Sequence, residues 1–336
     1  MLRGIPLIFK KNKYYADLKQ RLPESLKLFL QGDINSHKQK LLKMSVNNKP
    51  ILPAMIGLEL TNHCNAKCTF CTQPDIMVRN KDTMKIEVME RVVDQIKKYN
   101  VPSVMLGGMG EPFMWKAIIS LIKKLSDSGV HISITTNGSM FHRYTPEDII
   151  ESGLNELLIS MDAIDTKWLH ETKPGIKKSV SKIEEEIKKI YDYKIKNKKK
   201  SPNIVLKYQI LENSNYILDK DKEKEILESK VGKICDSVDL RKQHDWLGGA
   251  HEGVGNHTLP NAGMDNICNQ LVRSMEISWN GDVGLCCMDY DNKVLLGNIM
   301  EEEIPDIFNK KPIQKARKMY VDGNINKHGM CSGCYS

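Results

Sequence analysis

Nothing in this 336-residue sequence runs apolar for about 18 residues, so no segment is expected to cross a membrane as a helix. The apolar part of Met1-Leu2-Arg3-Gly4-Ile5-Pro6-Leu7-Ile8-Phe9 is too short for a signal peptide, and no small-residue cleavage pattern follows it. No aromatic residues interleave with the lysine-rich run from Lys194 to Lys200. The net charge of +8 therefore reads as a solvated helix end or loop, with neither nucleic acid nor membrane as a partner. A disulfide framework is not expected either. Nine cysteines without an export signal point to metal binding or catalysis in a reducing compartment, and the expected location is cytoplasmic. What remains is an ordinary globular composition, 40% hydrophobic and 27% charged, long enough for one large domain and something smaller.

The most informative stretch is Cys64-Asn65-Ala66-Lys67-Cys68-Thr69-Phe70-Cys71. Three thiols within eight residues leave no room for a regular element between them, so the chain must loop around something small. Three convergent thiolates with no fourth nearby suit an iron–sulfur cluster with one open iron better than a closed zinc site, which wants four ligands. A zinc knuckle borrowing His63 is the alternative. The Cys-x3-Cys-x2-Cys run with Phe70 before its last Cys resembles the signature of the radical S-adenosylmethionine (radical SAM) superfamily. The resemblance implies that Cys64, Cys68 and Cys71 hold a [4Fe–4S] cluster whose fourth iron is chelated by SAM.

Apolar periodicity alternates along the chain. Strands are expected at 54–60, 101–106, 131–136, 156–161, 203–211 and 236–240. Helices are expected at 83–99, 115–125, 146–152, around 180–190 and at 219–230. Six βα repeats with short loops imply a parallel sheet with helices outside, either doubly wound or an incomplete barrel, with ligands at the carboxyl ends of the strands. The resemblance implies an α/β fold, a partial (βα)6 TIM-like barrel over 51–240. Residues 1–50 read as an N-terminal extension with a weak helical pattern through Leu18, Leu22, Leu26 and Phe29.

The strand ends carry further likenesses. Gly107-Gly108-Met109-Gly110-Glu111-Pro112 resembles the family's GGEP motif with one residue inserted, which implies that Gly108 and Glu111 receive the methionine ammonium of SAM. Thr136 and Asn137 would contact its ribose or carboxylate, and Ser160 and Asp162 its ribose hydroxyls. Asp162 also reads as an exposed helix cap, and Phe70 either packs near the adenine or belongs to the core.

A second thiol set, Cys268, Cys286, Cys287, Cys331 and Cys334, fills the last seventy residues. Taken alone it also suits structural zinc. The segments Asn280-Gly-Asp-Val-Gly-Leu-Cys286, Leu296-Gly-Asn-Ile299 and Cys331-x2-Cys334 resemble the SPASM/twitch extension of radical SAM enzymes. That likeness implies a small C-terminal Fe–S domain within 241–336, with a second [4Fe–4S] cluster on Cys268, Cys286, Cys331 and Cys334. Cys287 would be a buried neighbour and Cys235 a core thiol. Such a pair of clusters favours net oxidation of a small polyol, aminocyclitol or sugar, fed by a one-electron reductant such as flavodoxin or ferredoxin. Arg241 and His244 after the sixth strand would face the substrate, with His244 as a proton acceptor. The competing expectations are a peptide-modifying maturase and, more remotely, a non-catalytic zinc-binding protein.

Overall fold

A computed structural model describes residues 34–210, 220–242 and 267–332. The weak pattern at Leu18–Phe29 lies outside them. The first described element is a helix, α1 (Ile34–Val46), whose His37, Lys38, Leu41, Leu42 and Ser45 form one buried stripe. There follow β1 (Met55–Glu59), α2 (Ile86–Tyr99), β2 (Ser103–Gly107), α3 (Ile118–Ser126), β3 (His131–Thr136) and α4 (Pro146–Ile150). Next come β4 (Glu156–Ser160), α5 (Thr166–Thr172), α6 (Val180–Lys196), β5 (Asn203–Ile210), α7 (Lys220–Val231) and β6 (Ser237–Lys242). The C-terminal part holds α8 (Asn269–Val272), β7 (Ser274–Ile277), β8 (Asp282–Gly284), β9 (Leu295–Asn298), α9 (Ile304–Phe308) and α10 (Lys311–Val321).

Local chemistry accounts for where these elements begin and end. In α2, Val88, Met89, Val92, Val93 and Ile96 fall on one buried face, and Asn100 closes the helix in the left-handed region at φ 51°. The helix starts three residues later than its periodicity implies. Thr83 is bridged to Thr61, and Met84 N donates to Leu60 O, so both residues are already committed to a short ladder. Thr145 and Asp148 make a reciprocal capping box that starts α4, with Pro146 at its first turn. In α6, Ser179 accepts from Lys182 N, and Val180, Ile183, Ile187 and Ile190 point inward. Lys194 departs from the solvated-run expectation: it is 4% exposed and pairs with Asp236 at 2.5 Å, which in turn accepts Ile204 N.

Among the described residues nine strands form one sheet in the order β6-β5-β4-β3-β2-β1-β7-β8-β9. Strands β1 to β6 are all parallel and lie in sequence order, without the reversal that a doubly wound sheet requires. This is a segment of a barrel, and among the described residues β6 is its edge strand. On its other side β1 pairs in parallel with β7, which continues through the antiparallel β8 and β9.

The two faces of this sheet differ sharply. Ile56, Leu58, Val104, Leu106, Ile132, Ile134, Leu157, Ile159, Ile204 and Leu206 are at most 1% exposed and pack under the helices. Their neighbours along the strands, among them Met105, Thr135, Ser160 and Lys207, are half-buried and mostly polar. A strand with one packed face alternates in this way, so the polar face lines the barrel lumen.

Candidate active site

The loop Cys64–Cys71 leaves the end of β1 and is held on both flanks. Lys67 N donates to Pro174 O at 2.6 Å and Thr69 N to Thr172 O at 2.9 Å, a two-rung ladder that sets Cys68 opposite Lys173. On the other flank Asn65 donates to Ser139 Oγ and accepts from the Asn137 amide. The three thiols are half-buried. Burial pushes Cys64 and Cys68 up to about 12 and raises Cys71, and the three also act on one another: Cys68 raises Cys64, Cys71 raises Cys68, and Cys64 raises Cys71. Among the described residues no three His, Cys, Asp or Glu side chains converge as ligands of one metal ion. Thiolates on separate irons of a cluster do not need that convergence.

Glu111 is 2% exposed and sits between β2 and β3. Its carboxylate accepts Thr136 Oγ1 at 2.6 Å, Asn137 N at 2.8 Å and Phe113 N at 3.1 Å. Burial pushes its pKa up, while these donors pull against that rise. Thr136, expected as a SAM contact, spends its hydroxyl on Glu111 and accepts Gly138 N. Asn137 joins the Cys loop to Ser139. The structure thus brings Glu111, Thr136 and Asn137 together as a brace between two strand ends and the Cys loop. The turn glycines have a steric cause of their own. A Cβ on Gly110 would stand 2.2 Å from Thr61 O, and Gly108 has φ +119°.

At the end of β4, Asp162 is 5% exposed and in the left-handed region at φ 54°, so it is not the exposed helix cap considered from sequence. That cap is Asp165, which accepts Trp168 N at 2.8 Å. Asp162 instead pairs at 2.8 Å with Lys173, itself 1% exposed, whose Nζ also donates to Ser160 O at 2.5 Å. Burial alone would lower Lys173, but Asp162 and Cys68 outweigh it and the net shift is upward. Phe70 is half-buried. Arg241 lies on β6, with its side chain outside the described set; His244 and Cys334 also lie outside the described residues.

Two lumen carboxyls carry no motif. Glu59 at the end of β1 takes a bidentate pair from Arg79 at 2.7 and 2.5 Å, and its Oε2 also accepts Met109 N. Arg79 Nε reaches Tyr290 O, and Asp291 accepts Val78 N, so residues 78–79 tie the core to the C-terminal segment. Glu276 on β7 stands opposite Gly57, where a Cβ would lie 1.9 Å from its Oε2. Burial raises the Glu276 carboxyl to about 7 from 4.5, with Gln270 opposing that rise and Glu59 adding to it.

Between those two pH values the folded protein holds a proton that the unfolded chain has released. Glu276 therefore contributes stability that is fully present below about 4.5 and is lost as pH rises through about 7. In cluster-free protein, E276Q is expected to flatten this fall. Urea midpoints measured from pH 4.5 to 8 check it, and equal slopes in both proteins would contradict it. Only the pairing of β7 with β1 reveals Glu276, since its sequence neighbourhood signals a strand and nothing more.

The second thiol set is partly described. Cys268 precedes α8, Cys286 and Cys287 follow β8, and Cys331 follows α10. Cys287 is exposed rather than buried. Its hydrogen bond to Cys286, first among several causes, lowers Cys286 and raises Cys287 well above the usual thiol range. Met288 N also donates to Cys286 Sγ at 3.4 Å. Cys235 is a core thiol, 3% exposed. No described helix is long and apolar enough to cross a membrane.

Comparison with known proteins agrees with this layout. The model of the Radical SAM superfamily matches residues 58–212, and that of the iron–sulfur cluster-binding domain SPASM matches residues 268–335. A probable GTP 3′,8-cyclase of Pyrococcus abyssi is 34% identical over 112 residues, 33% of this chain and 36% of that protein. The PqqA peptide cyclase of Bradyrhizobium diazoefficiens is 25% identical over 114 residues, 34% of this chain and 30% of that protein. The chain thus matches about a third of these relatives' own length. Among solved structures, BtrN in complex with AdoMet and 2-DOIA has a TM-score of 0.56 at 17% identity, covering 84% of this chain and 92% of BtrN. Streptococcus suis SuiB bound to precursor peptide SuiA has a TM-score of 0.64 at 16% identity, covering 83% of this chain and 70% of SuiB. At such identities the likeness is one of fold.

Proposed function

From the premise that this chain is a radical SAM protein ending in a SPASM domain, we propose that it catalyses a net two-electron oxidation of a small polyol, aminocyclitol or sugar. The two domains imply SAM and [4Fe–4S] clusters as cofactors. In this reading residues 51–240 are the radical SAM core, 241–336 a linker and auxiliary-cluster domain, and 1–50 an extension. Cys64, Cys68 and Cys71 would hold the first cluster, and Cys268, Cys286, Cys331 and Cys334 the second. Three mutually interacting thiols on one braced loop support the first set, and the nearness of Cys286 to Cys268, on which its charge acts, supports the second. Bound there, SAM and the first cluster would supply an acceptor for a hydrogen atom from a substrate carbon, and the second cluster an acceptor for the remaining electron.

The chain's own residues bind, orient and shield. Glu111, held by Thr136, Asn137 and Phe113, is proposed to receive the methionine ammonium together with Gly108. Ser160, Asp162 and Phe70 are proposed around the ribose and adenine, with Lys173 fixing Asp162. The observation that carries the reading is the polar lumen face with Glu276, which lies close enough to Cys286 and Cys287 to act on both. It suits a small polar substrate that must lose a proton, which the Glu276 carboxylate oxygen would accept. Arg241 and His244 are proposed as further substrate-facing residues, and a flavodoxin or ferredoxin in a reducing compartment as electron donor. Peptide modification is the second reading, favoured by the likeness to the PqqA peptide cyclase.

Anaerobic reconstitution tests the proposal. About eight irons per chain are expected, with SAM-dependent 5′-deoxyadenosine on reduction. A panel of polyols and aminocyclitols should contain one that leaves as a carbonyl compound with 5′-deoxyadenosine formed in step. Near four irons, or no 5′-deoxyadenosine, would sink the two-cluster reading, and coupling to a peptide alone would replace the substrate class.

A further inference from the structure

An arginine that donates to two distant parts of a chain holds them at a fixed spacing, because its guanidinium is planar and rigid. Arg79, in the segment that follows the Cys loop, is such a residue, with 15% of its side chain exposed. Its Nη1 and Nη2 donate to the Glu59 carboxylate at 2.7 and 2.5 Å, and its Nε donates to Tyr290 O. The backbone beside it is tied the same way: Asp291 Oδ1 accepts Val78 N at 2.8 Å and Arg79 N at 3.3 Å. Asp291 sits in a loop closed by Asp289, whose carboxylate accepts Lys293 N and Val294 N. On the far side of the guanidinium, Glu59 Oε2 also accepts Met109 N at 3.1 Å. Gly108 packs so closely there that a Cβ would stand 2.7 Å from Glu59 Cβ and 2.8 Å from its Cγ. The Gly108–Met109 turn is therefore moulded on the Glu59 side chain, and Arg79 sets where that side chain lies.

We propose that Arg79 is a positioning residue for SAM binding, which transmits docking of the 289–294 loop through Glu59 to the Gly108–Met109 turn. The inference rests on the reading of that turn, with Glu111, as the receiver of the methionine ammonium. With the loop docked, Nε and the amides of 78 and 79 have their acceptors, and the guanidinium presents both Nη groups to Glu59. Without the loop those three donors turn to water, and ordering Arg79 against Glu59 carries the full conformational cost of a long side chain. The turn is thus complete only when the C-terminal segment is seated on the core. SAM is held for cleavage only in a chain whose two parts are assembled. No local pattern marks Arg79, which is 20 positions from Glu59 and 211 from Tyr290.

The test uses the full chain, first without clusters. Hydrogen exchange read by mass spectrometry follows fragments covering 104–112 and, as a control, α6. D291A removes the acceptor of the 78 and 79 amides and leaves Glu59 and the turn unaltered. It is expected to speed exchange at Met109 about tenfold with α6 unchanged, and R79M should do the same. D291N, which keeps an acceptor oxygen, should restore the parent rate. The chain is then reconstituted with iron and kept oxidised, and SAM binding is measured by equilibrium dialysis. The dissociation constant is expected to rise about tenfold in D291A and in R79M at unchanged iron content. R79M/D291A should bind no more weakly than R79M, because both changes act on one path. Unchanged exchange at 104–112 in D291A, or an unchanged dissociation constant in a D291A chain that keeps its iron, overturns the inference and leaves the proposed function intact. Faster exchange in α6 as well, or loss of iron from D291A, makes the contact a general structural one and overturns it too. A parent chain that loads iron and binds no SAM defeats the reading of the turn, and the inference with it.

Discussion

Replacing Cys64, Cys68 and Cys71 together by Ala is expected to halve the bound iron, from about eight to about four per chain, and to abolish 5′-deoxyadenosine formation. Folding should not confound the result. Burial pushes Cys64 and Cys68 up to about 12, so the cluster-free protein carries neutral thiols there that behave as small apolar groups. The loop is held by bonds that do not involve those sulfurs: the two rungs to Thr172 and Pro174, and the Asn65 bonds to Asn137 and Ser139. The same raised values mean that cluster assembly displaces protons, so iron uptake should improve as pH rises. Iron analysis and chromatography of the reaction mixture check both parts. A triple variant that still forms 5′-deoxyadenosine would remove the first cluster from this loop.

A second large effect is expected from K173M. Lys173 and Asp162 are buried together, and removing the cation leaves a carboxylate enclosed without its partner. Breaking a buried pair from one side costs about 3–5 kcal/mol, whereas replacing both partners with neutral groups costs much less. K173M should therefore lower the urea midpoint of the cluster-free protein strongly, and D162N/K173M should recover most of it. Asn suits that position because, like Asp, it tolerates the left-handed backbone found at φ 54°. Should the double variant prove no more stable than K173M, the ion pair is not what holds the β4 end to the Cys68 rung.

Residues that act with near neighbours were legible without coordinates. The spacing of Cys64, Cys68 and Cys71 is local, as are the helical periodicities of α2 and α6 and the Gly-Glu-Pro turn, because a few consecutive residues determine each of them. What such spacing does not show is the partner each side chain takes. Thr136 and Asn137 were expected as ligand contacts, yet their polar atoms brace Glu111 and the Cys loop. Asp162 was considered as an exposed cap and is buried against a lysine eleven positions on. Sequence periodicity gives burial of apolar residues but not the partner of a buried charge, since that partner is chosen by packing.

By itself, then, the sequence determined the alternation of strands and helices, the two cysteine sets and the resemblance they carry, because each is written in short-range spacing. Only the tertiary structure decided between a doubly wound sheet and an open barrel, because strand order depends on pairings across the chain. It alone put Glu276 over the bare backbone of Gly57 and the Lys38 ammonium on the Ile267 carbonyl. Those contacts join residues about 220 and 230 positions apart, and no local pattern encodes a distance of that kind.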